Sequence, residues 1–221
     1  MENIDRIYII NLKERTDRWK MCIEQLAKFN IKNYERFDAI RPDLTKINPI
    51  HYSKNNMKHS KNYIIGALGC KLSHLQIIKD ANEKMYNQIL ILEDDFLFCD
   101  NFIEKYNDII SNIEQNKINI NMLYLGFSIV RPNTFIDTSI SFLKKLNNGH
   151  TTHAYILNKT FYDIIIGEIN NCCCEIDVCY ANIQKNYEIY GIYPCLISQM
   201  NSYSNIMERD VDYKKFINLS S

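Results

Sequence analysis

Three carboxylates stand in a row at Glu93, Asp94 and Asp95, after the apolar run ILIL of residues 89–92 and before a second short apolar run, FLF. In an extended backbone, side chains two apart project to the same side, so Glu93 and Asp95 are expected to face together while Asp94 turns away. Two carboxylates at a strand end suit a hard divalent cation, Mg²⁺ or Mn²⁺, whose remaining positions are filled by a ligand's phosphate oxygens. A solvated, Asp-rich turn after a strand has the same residues, and this stretch alone does not separate the two.

The elements around the acids alternate in type. RIYIIN (Arg6 to Asn11) is β-branched and aromatic and is expected as a first strand. Thr16 can cap a helix with an apolar stripe at Trp19, Ile23, Leu26 and Phe29. YERFDAI (Tyr34 to Ile40) gives a second strand, and the polar residues 42–63, with two prolines, a loop. A long helix is expected from Gly66 to Tyr86, with Leu68, Leu72, Leu75, Ile78 and Met85 at helical spacing, leading into the strand that ends in the acids. Asp100 can cap a helix whose face carries Phe102, Ile103, Tyr106, Ile109, Ile110 and Ile113. Beyond it come a strand over residues 121–128, a loop to about Asn148, a strand over 152–158, helices over 159–170 and 175–186, and one or two short strands before Gln199. Strands separated by helices imply an α/β fold of three layers with a mostly parallel sheet. Ligands of such sheets gather beyond the carboxyl ends of the strands, where the acids fall.

Composition narrows the partners. The chain of 221 residues suits one domain, 1–221, with about residues 207–221 as a polar, peripheral tail. Lys plus Arg (26) balances Asp plus Glu (26), so no overall basic field recruits nucleic acid or an anionic membrane. No stretch approaches the roughly 18 apolar residues of a membrane span, and no targeting segment is recognisable, so a cytoplasmic location without an integral membrane segment is expected. The 8 cysteines, three of them consecutive at 172–174, show no paired C-x-x-C spacing and are expected as reduced thiols rather than a disulfide frame or a metal site. His153 lies in an expected strand, and without a helix to align them His150 and His153, three apart, point away from each other, so they are not expected as a metal pair.

Several islands, in order along the chain, resemble glycosyltransferase family 25, the lipooligosaccharide and procollagen galactosyltransferase group: IYIINLKERTDR, GALGCKLSH, ILILEDDF, LYLG, HAYILNK and YPCLISQMNSYSNI, together covering about residues 5–206. The resemblance implies a GT-A-like three-layer α/β/α fold, a nucleotide-sugar donor, a divalent metal at the acid motif, and transfer with inversion. Asn11, Arg15 and Arg18 follow the first strand, where a donor's uridine or diphosphate could sit, and guanidinium groups suit phosphate oxygens. Gly66, Gly69, Ser73 and His74 belong to the second island and are assigned, with Asp94, to the donor side, although tight helix packing explains the glycines equally well. Asp177 matches a late acidic position in the family pattern and is expected as the base that takes the acceptor hydroxyl's proton, with Glu175 as the fallback. Glu93 and Asp95 remain the expected metal ligands. Asn205 stands where the family often has Asp, a departure that implies weaker turnover.

The expectation is therefore a metal-dependent inverting transferase using Mn²⁺ or Mg²⁺. It would move a hexose, galactose or glucose first, from a UDP-sugar to a hydroxyl of a glycan or hydroxylated protein. A non-catalytic nucleotide-sugar or glycan-binding protein of the same fold is the alternative. A phosphatase-like hydrolase fits poorly, because EDDFLF lacks that class's spacing of a nucleophilic Asp and a second Asp. Oligomeric state is not legible.

Overall fold

The structure is a computed structural model, and it describes residues 1–46, 60–129, 133–204, 206, 209–212, 217 and 219. In chain order the elements are β1 (Arg6–Asn11), α1 (Thr16–Lys28), β2 (Tyr34–Asp38), α2 (Lys61–Glu83), β3 (Gln88–Glu93), β4 (Phe96–Phe98), α3 (Phe102–Gln115) and β5 (Met122–Ser128). They continue with β6 (Phe135–Asp137), β7 (Leu143–Leu146), β8 (His150–Asn158), α4 (Tyr162–Asn171), α5 (Ile176–Ile183), β9 (Ile189–Ile192), β10 (Ile197–Gln199), β11 (Ser202–Ser204) and β12 (Arg209–Val211).

An 8-stranded sheet in the order β2-β1-β3-β8-β5-β9-β7-β6 forms the middle layer. The pairs β1–β2, β1–β3 and β5–β9 are parallel, while β8 runs against both β3 and β5, and β7 against both β9 and β6. All its other strands thus share one direction, giving the mostly parallel sheet expected from sequence.

Strand alternation divides the core between two faces. Tyr8, Ile10, Ile89, Ile91, Tyr124, Tyr155 and Leu157 pack with Ile78 and Ala81 of α2, Ile165 of α4 and Tyr180 of α5. On the opposite face Ile7, Ile9, Leu90, Leu92, Leu125 and Ile156 pack with Leu26 of α1 and Phe102 and Tyr106 of α3. Both faces are covered, so β3 and β5 are apolar without alternation.

Several local expectations are corrected. α2 begins at Lys61 rather than Gly66, because the Ser60 hydroxyl accepts from the backbone N–H of Tyr63 at 3.1 Å and caps the helix earlier. Thr16 lies inside α1 rather than capping it, and α3 is preceded by Asn101 in the left-handed region (φ 55) rather than capped by Asp100. The loop expected up to Asn148 contains the β6–β7 hairpin, whose LKKL strand buries Leu143 and Leu146 without alternation. Cys172 and Cys179 are joined as a disulfide, against the expectation of eight reduced thiols. The first turn of α5 folds Cys179 back over the preceding segment, leaving 5.9 Å between their Cα atoms, within the range a bridge spans.

The tail is not wholly peripheral: β11 pairs with β12, and Ile217 is buried in the core on the α2 face. Most of the expected loop at 47–59, and Asn205, lie outside the described residues. Among the described residues no helix is long and apolar enough to cross a membrane.

Candidate functional site

The site forms where β1 and β3 end side by side, Ile10 opposite Glu93. The extended backbone stops at Glu93, and Asp94 and Asp95 lie in a turn before β4. Strand alternation therefore extends only to Glu93, and Asp95 leaves from the turn instead; the three carboxylates keep different partners but line the same cleft.

Glu93 continues the face of Ile89 and Ile91, toward α2. It accepts a hydrogen bond from Thr152 Oγ1 at 2.7 Å, and His74 Nε2 stands 3.4 Å from the same oxygen. Asp94 points to the α1 face, where Asn11 Nδ2 donates to it at 2.6 Å and Arg18 Nη1 at 2.5 Å, while the Cys22 thiol donates to its backbone carbonyl at 3.4 Å. Asp95 is held by the Gln199 amide at 3.3 Å and lies 3.8 Å from Arg18, and its carbonyl accepts the Met200 N–H at 2.7 Å. β4 brings Gln199 there by pairing Phe96 with it.

One arginine thus serves two of three adjacent acids. Burial, then the charge of Glu93, pushes Asp95 up to about 7, against the opposing pull of Arg18. Burial would also raise Glu93, but His74 and Thr152 outweigh it and hold that carboxyl below its ordinary value. A divalent cation would relieve the remaining repulsion. The surroundings fit one: among the described residues Asn11 Oδ1 and Gln199 Oε1 are buried without hydrogen-bond partners, and His74 Nε2 stands 3.4 Å from the Glu93 carboxylate. Donor atoms of Cys70, His74 and Glu93 also lie within 4.8 Å of one another, close enough to share an ion.

These carboxylates form one wall of a cleft of about 550 Å³. Arg18, Ile10 and Leu12 line it from the β1–α1 side, Ala39, Ile40 and Arg41 from beyond β2, and Asn62, Ile65, Gly66, Gly69 and Cys70 from α2. Gly69 is required by packing, since a Cβ there would collide with the carbonyl of Ile40. Ser73 lies behind this contact, donating to the Gly69 carbonyl at 2.7 Å and accepting from the Ile40 N–H at 2.9 Å. His74 is fully buried, its Nδ1 2.8 Å from the Tyr155 hydroxyl, which in turn lies 3.1 Å from the Tyr180 hydroxyl.

The other expected site residues lie farther out. Arg15 is turned to Asp17, 2.8 Å away. Asp177, in the first turn of α5, has one oxygen 3.6 Å from His150 Nδ1, and Glu175 accepts from the Tyr63 hydroxyl at 3.3 Å. Neither is among the described residues lining the cleft, although Tyr63 stands in the same first turns of α2 as Asn62 and Ile65. His153 is buried and bonded to the Ile197 carbonyl at 3.1 Å, with burial depressing its proton affinity, so it is a neutral packing residue. That bond passes over Gly126, where a Cβ would strike both partners, which explains the glycine of LYLG.

The sequence reading missed Thr152, Gln199, Cys70 and Arg41. Thr152 arrives because β8 is antiparallel, so its beginning lies at the edge where β3 ends. No periodicity announces that reversal.

The model of glycosyltransferase family 25 (LPS biosynthesis protein) matches residues 4–180. The procollagen lysyl hydroxylase and glycosyltransferase of Acanthamoeba polyphaga mimivirus is 32% identical over 170 residues, 70% of this chain and 18% of that protein. Human procollagen galactosyltransferase 2 is 26% identical over 128 residues, covering 55% and 20%. The human inactive glycosyltransferase 25 family member 3 is 24% identical over 140 residues, covering 58% and 22%. The chain therefore spans about a fifth of each of these three relatives.

Proposed function

The chain belongs to glycosyltransferase family 25, and from that premise we propose that it is a metal-dependent, inverting hexosyltransferase. It transfers galactose or glucose from a UDP-sugar to a hydroxyl of a glycan or hydroxylated protein. The observation that carries the reading is the under-neutralised carboxylate cluster on the wall of the cleft, with Asp95 pushed up to about 7.

In this reading Glu93 and Asp95 would hold Mn²⁺ or Mg²⁺, which would supply positive charge against the diphosphate of the leaving group. Arg18 and the backbone at Gly69 face the donor from the cleft wall. Arg15 serves the donor only after leaving Asp17, whereas Asn11, Asp94, Ser73 and His74 act from behind, fixing Arg18, α2 and Glu93. The acceptor oxygen bonds to the anomeric carbon while the bond from that carbon to the β-phosphate oxygen breaks, its electron pair leaving with UDP. Asp177, or failing it Glu175, takes the acceptor proton.

The decisive experiment measures UDP release against a panel of UDP-sugars with Mn²⁺ and with a chelator. Release with one UDP-hexose that the chelator abolishes supports the reading, and release unaffected by the chelator overturns the metal role. The likeness to a relative named inactive favours one second reading, a nucleotide-sugar-binding protein. UDP binding without release, whatever the acceptor, would establish it.

A further inference from the structure

Between α4 and α5 the chain places three sulfurs at one point. Cys172 is the first residue after α4, Cys174 follows in the connection, and Cys179 lies one turn into α5. Sγ of Cys174 is 2.9 Å from that of Cys172 and 3.9 Å from that of Cys179, and all three fall within 4.8 Å of one another. Cys173, between them, is exposed. A disulfide between Cys172 and Cys179 uses two of these atoms and leaves the third thiol packed against them without a covalent role.

A second observation points to an anionic occupant. Lys71 of α2 is buried, at 3% exposure, and its ammonium donates to the carbonyls of Cys172 and Cys174. It makes no ion pair among the described residues. A buried ammonium against a cysteine-rich turn is stabilised if that turn carries negative charge. Three thiolates on a divalent cation leave one net negative charge beside it. Thiolates at about 2.3 Å from a tetrahedral cation lie roughly 3.8 Å apart, a spacing this turn reaches with small side-chain rotations.

We propose that the reduced form of this cluster binds a thiophilic divalent cation, of the class of Zn²⁺, through Cys172, Cys174 and Cys179, with a fourth position open. The inference is independent of the transferase reading. Loading requires reduction of the Cys172–Cys179 bond. A phosphine supplies two electrons, two protons come from water, the water oxygen ends on phosphorus, and the cation then displaces the thiol protons. The bound ion would pin Glu175 and Asp177 between its ligands, making the geometry of the α5 amino end depend on metal.

The test uses Co²⁺ as a spectroscopic probe on the phosphine-reduced full chain. Expected is a sulfur-to-cobalt charge-transfer band that saturates at about one thiolate-bound equivalent per chain, apart from any ion on the carboxylates, and is displaced by Zn²⁺. The band should be absent without reduction, lost in Cys174→Ser, and retained in Cys173→Ser. It should also be retained in Cys70→Ser, which removes the only thiol of the cluster with His74 and Glu93. No band in the reduced wild type, or a band that survives in folded Cys174→Ser, overturns the proposal. Should Cys174→Ser fail to fold, alkylation of the reduced wild type decides: Zn²⁺ must protect Cys172, Cys174 and Cys179, and protection confined to other cysteines sinks the site.

Discussion

Arg18 and Asp94 form an ion pair in which Nη1 stands 2.5 Å from Oδ1, with side chains only 12% and 10% exposed. Asn11 completes the set from the end of β1. Removing one partner of such a pair leaves the other charged and covered, at a cost of about 3–5 kcal/mol. Arg18→Met should therefore lower stability in urea denaturation by about that amount, and Arg18→Met with Asp94→Leu by clearly less. Additive losses in the double variant would show that the two residues act separately.

The acid cluster makes metal binding depend on pH. Asp95 lies at about 7, so below that value a cation that uses it must displace a proton. Mn²⁺ affinity measured by calorimetry should fall as pH drops from 8 to 5, and Asp95→Asn should flatten the dependence. Without metal the sign reverses for stability. Folded Asp95 keeps its proton to about 7 while the unfolded chain releases it near 3.8, so its contribution to stability declines as pH rises between those values.

Base and metal ligand should separate in kinetics. Asp177 accepts from the Val178 N–H in its own helix start, lies near His150, and is not among the described residues lining the cleft. Asp177→Asn should leave UDP-sugar binding nearly intact and cut transfer about a hundredfold or more, whereas Asp95→Asn should weaken both. Wild-type transfer by Asp177→Asn with loss in Glu175→Gln would move the role to Glu175.

Gly126 offers a test remote from charge. An added methyl meets the Ile197 carbonyl and the His153 ring, neither of which is free to move because each holds the other. Gly126→Ala should destabilise the chain by about 1–3 kcal/mol, as overpacking does, with a matching fall in melting temperature.

Met85 should show the opposite effect. It follows α2 with φ 59 and is 67% exposed, so a side chain is held in the left-handed region with little packing in return. Met85→Gly should stabilise by about 0.5–1 kcal/mol in urea denaturation.

The layers of the fold were legible because Ile7 to Ile10 and Ile89 to Leu92 are apolar on both faces, the mark of a strand covered twice. The acids were legible as a site for the same reason: three charges at the end of such a strand have no core to enter. Their geometry was not, since it depends on a turn at Asp94 that ends alternation and on partners distant in sequence, Thr152 and Gln199. The cysteine cluster escaped because its ligands span a helix start, and C-x-C-x4-C has no familiar spacing. The β6–β7 hairpin, within the expected loop, escaped because its strands are only 3 and 4 residues long and Leu143 and Leu146 do not alternate.

The reversed strand β8 also governs how the chain can be made. It bonds on one side to β3 and on the other to β5, joining residues as distant as Gln88 and Asn158. Until β8 has left the ribosome, β3 and β5 each present an unpaired, largely apolar edge, the kind that recruits another nascent chain. The span from β3 to β8 is thus a window of exposure during synthesis. Once β8 enters, one event seals these two edges and delivers Thr152 to Glu93, while the far edge of β5 waits for β9 and Asp95 waits for Gln199.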